Sequence, residues 1–312
     1  MAIATIGAAV QERTADLSLR TVQHAEQAGV PTMWLTTGAG PDAMVVFAAA
    51  AATTQRIHMG TAIVPTFPRH PVVVAQQAAD IAALAPGRFT LGVGPSHAPG
   101  IEGRYGIAYE RPLEHVREFV TVIKALLTGE QVDFEGRRFR VHGRLAEPAA
   151  APVIVSALRE RSFELAGAIA DGAVTWLCPA PYMRNVALPA MERAAATLGG
   201  PRARLIGHAF VCLSNDRRAV TQAVNEQMAT YPRSVNYQEM FAAAGYPEAR
   251  QGEWSDAMLD AVVLHGPEPV AREKVLQFMA VSGVDELILS VLPVGPDRTA
   301  AINHTLDWIG GL

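Results

Sequence analysis

The stretch "VIVSALRERSFELAGAIADGAVTWL", residues 153–177, decides how the rest of the chain is read. It opens on a short β-branched run, Val153–Ala157. A helical pattern follows, Arg159–Ala170, and Gly172 stops it. A second apolar run, Ala173–Leu177, begins at once. One helix between two short apolar strands is the repeating unit of a parallel sheet.

The same alternation extends in both directions. The strand candidates are Ile3–Val10, Thr32–Thr37, Ile57–Val64, Phe89–Val93, Val153–Ala157, Ala173–Leu177, Leu205–Leu213 and Glu286–Val291. The helix candidates that follow them are Leu17–Ala28, Asp42–Thr53, Pro71–Leu84, Pro112–Leu127, Arg159–Ala170, Pro181–Leu198, Arg217–Thr230 and Thr299–Ile309. Their apolar residues recur at helical spacing, as in Val116, Phe119, Val120, Ile123 and Leu127. Eight such pairs predict an α/β chain folded as a closed (β/α)8 TIM barrel, with residues 1–312 as one domain. An open doubly wound sheet with an accessory domain is the alternative. Two segments fall outside the count. "QVDFEGRRFRV", residues 131–141, alternates and turns at Glu135–Gly136, so it reads as a β-hairpin before strand five. Residues 233–266 read as an irregular insertion after helix seven, of the kind that forms lids or substrate loops, followed by a helix from Pro267 to Val281.

Composition narrows the function classes. The chain has 312 residues, 50% of them apolar, and a formal net charge of −4, so it can bury a large core. The mild acidity and the lack of a run of five basic residues argue against a nucleic-acid surface. The N-terminal segment has no basic n-region, and "MVVFAAAAA" is too short to span a bilayer. Cys178 and Cys212 form no CxxC and suit free thiols in a reducing cytoplasm. The expectation is a soluble, cytoplasmic globular protein without nucleic-acid or membrane partners.

In such a barrel the chemistry belongs at the carboxyl ends of the strands. That selects Gln11, Thr36–Gly38, Ile63–Phe67, Gly94–His97, Ser156–Leu158, Trp176–Cys178, Ser214 and Ser290. "FTLGVGPSHAPG", residues 89–100, is no dinucleotide loop: the third glycine is missing, Pro95 removes an N–H, and the next helical pattern starts only near Pro112. Its glycines permit close approach of another backbone or of a flat ligand. Ser96 and His97 then face the strand ends, with a turn carrying a solvated histidine as the other reading. "HMGTAIVPTFPRHP", residues 58–71, is a strand running into a rigid, proline-rich connection. After Ser156 a helix starts within a few residues, and its free N–H groups make an anion site. Arg159 and Arg161 stand in its first turn, where a cation is locally unfavourable unless a polyanion lies nearby. Two solvated arginines are the alternative. No HExxH or HxH is present among the nine histidines, so no metal site is expected, and GxSxG is absent. Trp34, Tyr105, Tyr109 and Trp176 could stack on a cofactor or simply fill the core.

Four segments carry a family resemblance: "TQRIHMGTAIVPTFPRHPVVVAQQAADIAALAPGRFTLGVGPSH" (54–97), "ALLTGEQVDFEGRRFRV" (125–141), "ALRERSFELAGAIADGAVTW" (157–176) and "VSGVDELILSV" (281–291). The chain resembles the bacterial luciferase-like oxidoreductases. "GPSH" followed by "YGIAYERPLEHVREF" (105–119) is most similar to the branch using the 8-hydroxy-5-deazaflavin coenzyme F420. The resemblance implies a TIM-like barrel with insertions, usually a homodimer, holding the deazaflavin in its mouth. It implies a non-prolyl cis peptide at Ala62–Ile63 against the ring, with Gly94 and Ser96 beside it. It also implies phosphate contacts from Ser156, Ala157 and Leu158. Many relatives end strand two with an Asp–His pair, where Thr37 and Gly38 stand here. Some place a glutamate acid after strand four, where His97 stands. The resemblance thus points to hydride exchange between F420 and a small organic substrate, with His97 handling the proton. A monooxygenase using flavin mononucleotide (FMN) is the runner-up, and a non-catalytic cofactor-binding protein is a reading of another class.

Overall fold

The computed structural model describes residues 5–312. Eight strands form its centre: β1 (Thr5–Ala9), β2 (Thr32–Leu35), β3 (His58–Thr61), β4 (Phe89–Gly94), β5 (Val153–Ser156), β6 (Gly172–Val174), β7 (Arg204–Cys212) and β8 (Glu286–Val291). Each is parallel to the next in order. β8 returns to β1 in the register Thr5↔Glu286 to Ala9↔Ser290, which closes the barrel and excludes the open sheet. The expected first strand began at Ile3, and Ile3 and Ala4 lie outside the described residues. Every residue of β4 and β8 is buried, because helices cover the outside and side chains fill the inside.

The outer ring consists of α1 (Ala15–Ala28), α2 (Ala43–Thr53), α3 (Pro71–Leu84), α4 (Pro112–Leu127), α5 (Glu160–Ile169), α6 (Leu188–Leu198), α7 (Glu268–Ser282) and α8 (Arg298–Gly310). Seventh place differs from the sequence expectation. The helix Arg217–Met228 buries Val220, Val224 and Met228 but does not join the ring. Arg217 instead binds Asp256, and the Trp254 indole donates to the Met228 carbonyl, so this helix belongs with the insertion. The wall position goes to α7, where Arg184 grips the Val281 and Ala280 carbonyls at 3.0 and 3.1 Å.

The barrel interior has a floor and a plug. Trp34 lies across the axis, and a Cβ on Gly60 would stand 2.3 Å from its ring. Ile154, Val174, Ile206 and Ile288 pack around it, with Ala9, Ala62 and Ile63 above. Beneath, the Trp34 indole donates to Glu286 at 2.8 Å, and Arg204 holds the other Glu286 oxygen at 2.8 Å. Among the described residues these groups fill the amino end of the barrel, and the carboxyl-end mouth is where a ligand is expected.

Other departures have local causes. The expected strand Ile57–Val64 is broken: β3 stops at Thr61, the Ala62–Ile63 peptide is cis, and Val64–Pro65 pairs separately with β4. β6 ends at Val174 rather than Leu177, where the backbone is left-handed at φ 56°. A helix absent from the sequence reading, Ala98–Tyr105, follows His97 directly. Two glycines masked its pattern, yet Pro99 suits a first turn and Gly106 terminates it in the left-handed region. The expected helix from Pro181 widens into a π-turn at Met183–Ala187, where Leu188 N–H reaches the Met183 carbonyl. Pro189 in the next turn has no N–H and crowds the carbonyl four residues back.

The hairpin forms as expected, with Val132–Glu135 antiparallel to Arg140–Gly143. The Glu118 carboxylate on α4 pins its turn by accepting from the N–H groups of Arg137, Arg138 and Phe139. Residues 233–266, expected to be irregular, are organised: a 3₁₀ turn, Tyr231–Arg233, leads into helix Val235–Ala243, a second one, Pro247–Gln251, leads to helix Asp256–Val262, and Val263–His265 pairs with the end of β7. Among the described residues no helix is long and apolar enough to cross a membrane.

Candidate active site at the barrel mouth

The wall begins at the end of β3. Ala62 N–H donates to the Leu35 carbonyl at 2.8 Å, and the Ile63 carbonyl accepts from Thr37 N–H at 3.0 Å. The bulge is thereby tied to β2, and Ile63 rises above the interior plug. The glycines of β4 have specific neighbours. A Cβ on Gly92 would meet the Thr61 carbonyl oxygen at 1.8 Å, and one on Gly94 would meet the Ser156 hydroxyl at 2.0 Å. Close approach is therefore real at both positions, by a backbone at Gly92 and by a side chain at Gly94. Ile63, Gly94 and Ser156 form one continuous surface.

The turn after β4 is held from outside. Ser96 takes a left-handed φ of 60°, and its carbonyl accepts from the Tyr109 hydroxyl at 3.0 Å. Tyr109 in turn stacks on Phe67 at 4.9 Å, and burial pushes its phenol up to about 12. This turn carries His97 into the mouth. The imidazole is exposed there on one side and packs on the other against Tyr231 and Tyr237. Desolvation lowers its pKa and keeps it neutral at pH 7.

Opposite, β6 and β7 present aromatic groups. Trp176 meets His208 edge-on at 4.5 Å and Phe210 at 5.3 Å. Its indole Nε1 is buried without a hydrogen-bond partner. His208 bonds Ser290 at 2.6 Å inside the barrel, and burial pushes its pKa down to about 3. Two residues of the insertion close this side. Tyr231 and Tyr237 pack 5.6 and 5.8 Å from the His97 ring, and Tyr231 lies 6.0 Å from Trp176. Burial raises both phenols, so each keeps its proton.

The expected anion site is rearranged. The Ala157 N–H bonds the Val174 carbonyl, and the N–H groups of Leu158 and Arg159 both reach the Ser162 hydroxyl at 3.0 Å. Three backbone donors near the expected phosphate position are thus engaged within the chain, two of them by a single rotatable hydroxyl. Arg159 and Arg161 are exposed at the start of α5, and neither forms an ion pair among the described residues. Neighbouring Glu160 and Glu164 are taken by Arg193. Of the other aromatic candidates, Trp34 belongs to the buried interior and Tyr105 stands at the surface.

Sequence reading missed Ser162, His208, Tyr231 and Tyr237. A histidine within the apolar run of β7 and a serine three residues beyond Arg159 were available signals. Nothing in residues 231–237 announces where those tyrosines point. Among the described residues no three His, Cys, Asp or Glu side chains gather as metal ligands.

The family profile described as luciferase-like monooxygenase matches residues 3–286. The chain belongs to that family. Among curated luciferase-like relatives, an F420-dependent glucose-6-phosphate dehydrogenase from Nakamurella multipartita is 35% identical over 165 residues, 50% of this chain and 48% of that one. A 5,10-methylenetetrahydromethanopterin reductase from Methanolobus tindarius is 23% identical over 299 residues, 89% of this chain and 90% of that one. The luciferase-like barrel also superposes on a solved F420-dependent secondary alcohol dehydrogenase in complex with an F420–acetone adduct. Its TM-score is 0.81 at 18% identity, covering 97% of both chains.

Proposed function

We propose that this luciferase-like chain is an enzyme, a coenzyme F420-dependent oxidoreductase that exchanges a hydride with a small organic substrate. The observation that carries the cofactor class is the 35% identity to a relative named for F420. When bound, the deazaflavin supplies or takes the hydride at its C5. The mouth suits such a group: Ile63, Gly94 and Ser156 meet at the strand ends without an aromatic or charged side chain among them.

The protein's own tasks follow from the geometry. Ala62 and Ile63 support the ring face, with Gly94 and Ser96 beside it. Ser162 releases the Leu158 and Arg159 N–H groups to a phosphate by rotating its hydroxyl, and Ser156 and Ala157 line the same strand end. Arg159 and Arg161 offer unpaired positive charge to the coenzyme's anionic tail. Trp176 borders the ring, and neutral His97 takes or gives the proton that accompanies hydride transfer.

A fluorescence titration comparing F420 with FMN tests the reading. Micromolar or tighter binding of F420, with FMN weaker, is expected. Equal or reversed affinity replaces it with the FMN monooxygenase. Binding without turnover across a broad substrate panel leaves only a cofactor carrier.

We also propose a cytoplasmic homodimer. The proposal follows the family resemblance, and Val45 on α2 and Val73 on the adjacent α3, 61% and 49% exposed, are the apolar side chains it would cover. Both cysteines are free and buried, in keeping with a reducing compartment.

A further inference from the structure

We propose that the insertion after β7 completes a neutral aromatic subsite, built from His97, Trp176, Tyr231 and Tyr237, which admits an uncharged organic substrate and rejects carboxylated or phosphorylated ones. The proposal rests on the coenzyme reading above, which assigns the Ile63 side of the mouth to the deazaflavin and this side to the second reactant.

The four rings form one unit. Tyr231 contacts all three others, with Tyr237 edge-on at 4.9 Å, His97 at 5.6 Å and Trp176 at 6.0 Å. His97 and Tyr237 meet at 5.8 Å. Tyr231 and Trp176 are half-buried and pack against the edge of the core, so each keeps part of its ring accessible. Tyr237 is anchored, 3% exposed, on the helix Val235–Ala243. The two tyrosines come from the insertion, whereas His97 and Trp176 come from the barrel. The subsite therefore exists only when the insertion is docked.

Its electrostatics decide the class of ligand. The groups that act on the Tyr237 phenol are Tyr231, Cys178 and Tyr109, all uncharged at neutral pH. His97 and His208 respond to burial alone. Glu239, on the helix that carries Tyr237, is paired with Arg250 at 3.1 Å, and Arg159, exposed at the start of α5, is the cation assigned above to the coenzyme's tail. Arg104 donates to the Gly38 carbonyl at 2.8 Å. At the end of β2 the Thr37 hydroxyl accepts from Ala43 N–H, and Gly38 has no side chain. An anion brought against these rings would lose its hydration and find no cationic partner among the four. An uncharged molecule with one carbonyl or hydroxyl finds apolar faces, two phenol donors and an imidazole.

The test uses the full chain saturated with F420. Occupancy is read first from deazaflavin fluorescence, and failure there counts against the coenzyme reading. The subsite is then probed by tryptophan quenching, in the free protein if F420 does not bind. The probes are cyclohexanone, acetophenone and benzyl alcohol, each beside its twin: 4-oxocyclohexanecarboxylate, 4-acetylbenzoate and benzyl phosphate. Each neutral probe should bind about ten-fold or more tightly than its charged twin. Tyr231→Arg should reverse that preference while coenzyme affinity stays within a few-fold. Tyr237→Phe, which keeps the ring and its packing, should weaken the ketones only. Equal or tighter binding of the charged twins, no binding by any neutral probe, or an unchanged preference in Tyr231→Arg overturns the proposal.

Discussion

The Ser156 hydroxyl occupies the space where a side chain on Gly94 would begin, 2.0 Å from the ideal Cβ position. The two residues belong to neighbouring strands, β4 and β5, at the level of the mouth. Gly94→Ala should cost about 1–3 kcal/mol through overpacking. Adding Ser156→Gly should recover much of that loss, and urea melts of the two single variants and the double variant measure the coupling. Strict additivity would mean that the hydroxyl moves aside freely.

His97→Ala should lower turnover by about 10²–10⁴-fold, the usual range for a general acid or base. Coenzyme affinity should change only a few-fold, since the imidazole packs on Tyr231 and Tyr237. Steady-state kinetics with an identified substrate, beside a coenzyme titration, separate the two effects. A large drop in affinity would make His97 a binding residue instead.

Replacing both Arg159 and Arg161 by alanine should weaken F420 binding by about 1–2 kcal/mol at low salt. Both guanidinium groups are exposed, so the loss should shrink as ionic strength rises. Titrations at two salt concentrations suffice, and unchanged affinity at low salt returns both residues to a solvated helix face.

His208 ties stability to pH. Its imidazole titrates at about 3 in the fold, because burial disfavours the cation, and near 6.5 when unfolded. Between those values the unfolded chain binds a proton that the native state refuses. Stability is therefore complete above pH 6.5 and falls toward pH 3 by about 1.4 kcal/mol per unit. His58, His97, His115 and His265 are depressed too and act in the same direction. His208→Gln should be less stable at pH 7, through loss of its bond to Ser290, but should lose less on going to pH 5. Denaturant midpoints at both pH values decide it.

Val45→Glu and Val73→Glu place a charge at these exposed positions on α2 and α3. Light scattering after gel filtration should show a dimer that each substitution shifts toward monomer. A wild-type monomer at micromolar concentration would remove the dimer proposal.

Periodicity made the barrel legible. Each strand–helix unit is local, and eight in series have few ways to bury both faces of their strands except by closure. The hairpin was legible too, because alternation and a Gly turn are carried by a few adjacent residues. Arg217–Met228 shows where such reading ends. It has helical periodicity, but whether a helix joins the ring depends on distant partners: Arg217 binds Asp256 of the insertion, whereas Arg184 holds the carbonyl end of α7. Ala98–Tyr105 was hidden because its two glycines have low helix propensity, and its first-turn proline and terminal Gly106 stabilise it regardless.

By itself the sequence determined the eightfold alternation and the strand ends that could carry chemistry, while the cis peptide at Ala62–Ile63 was expected only from the family resemblance. All of these depend on neighbours along the chain or on motif residues that lie together. Tertiary structure alone decided what those residues meet. Gly94 faces Ser156 from another strand, and Ser162 engages the backbone donors that a phosphate was expected to find. Tyr231 and Tyr237 reach His97 across more than a hundred residues of chain. Contacts of that kind leave no local period in the sequence. They arise from barrel closure and from docking of the insertion, which bring distant side chains together only once the whole chain is packed.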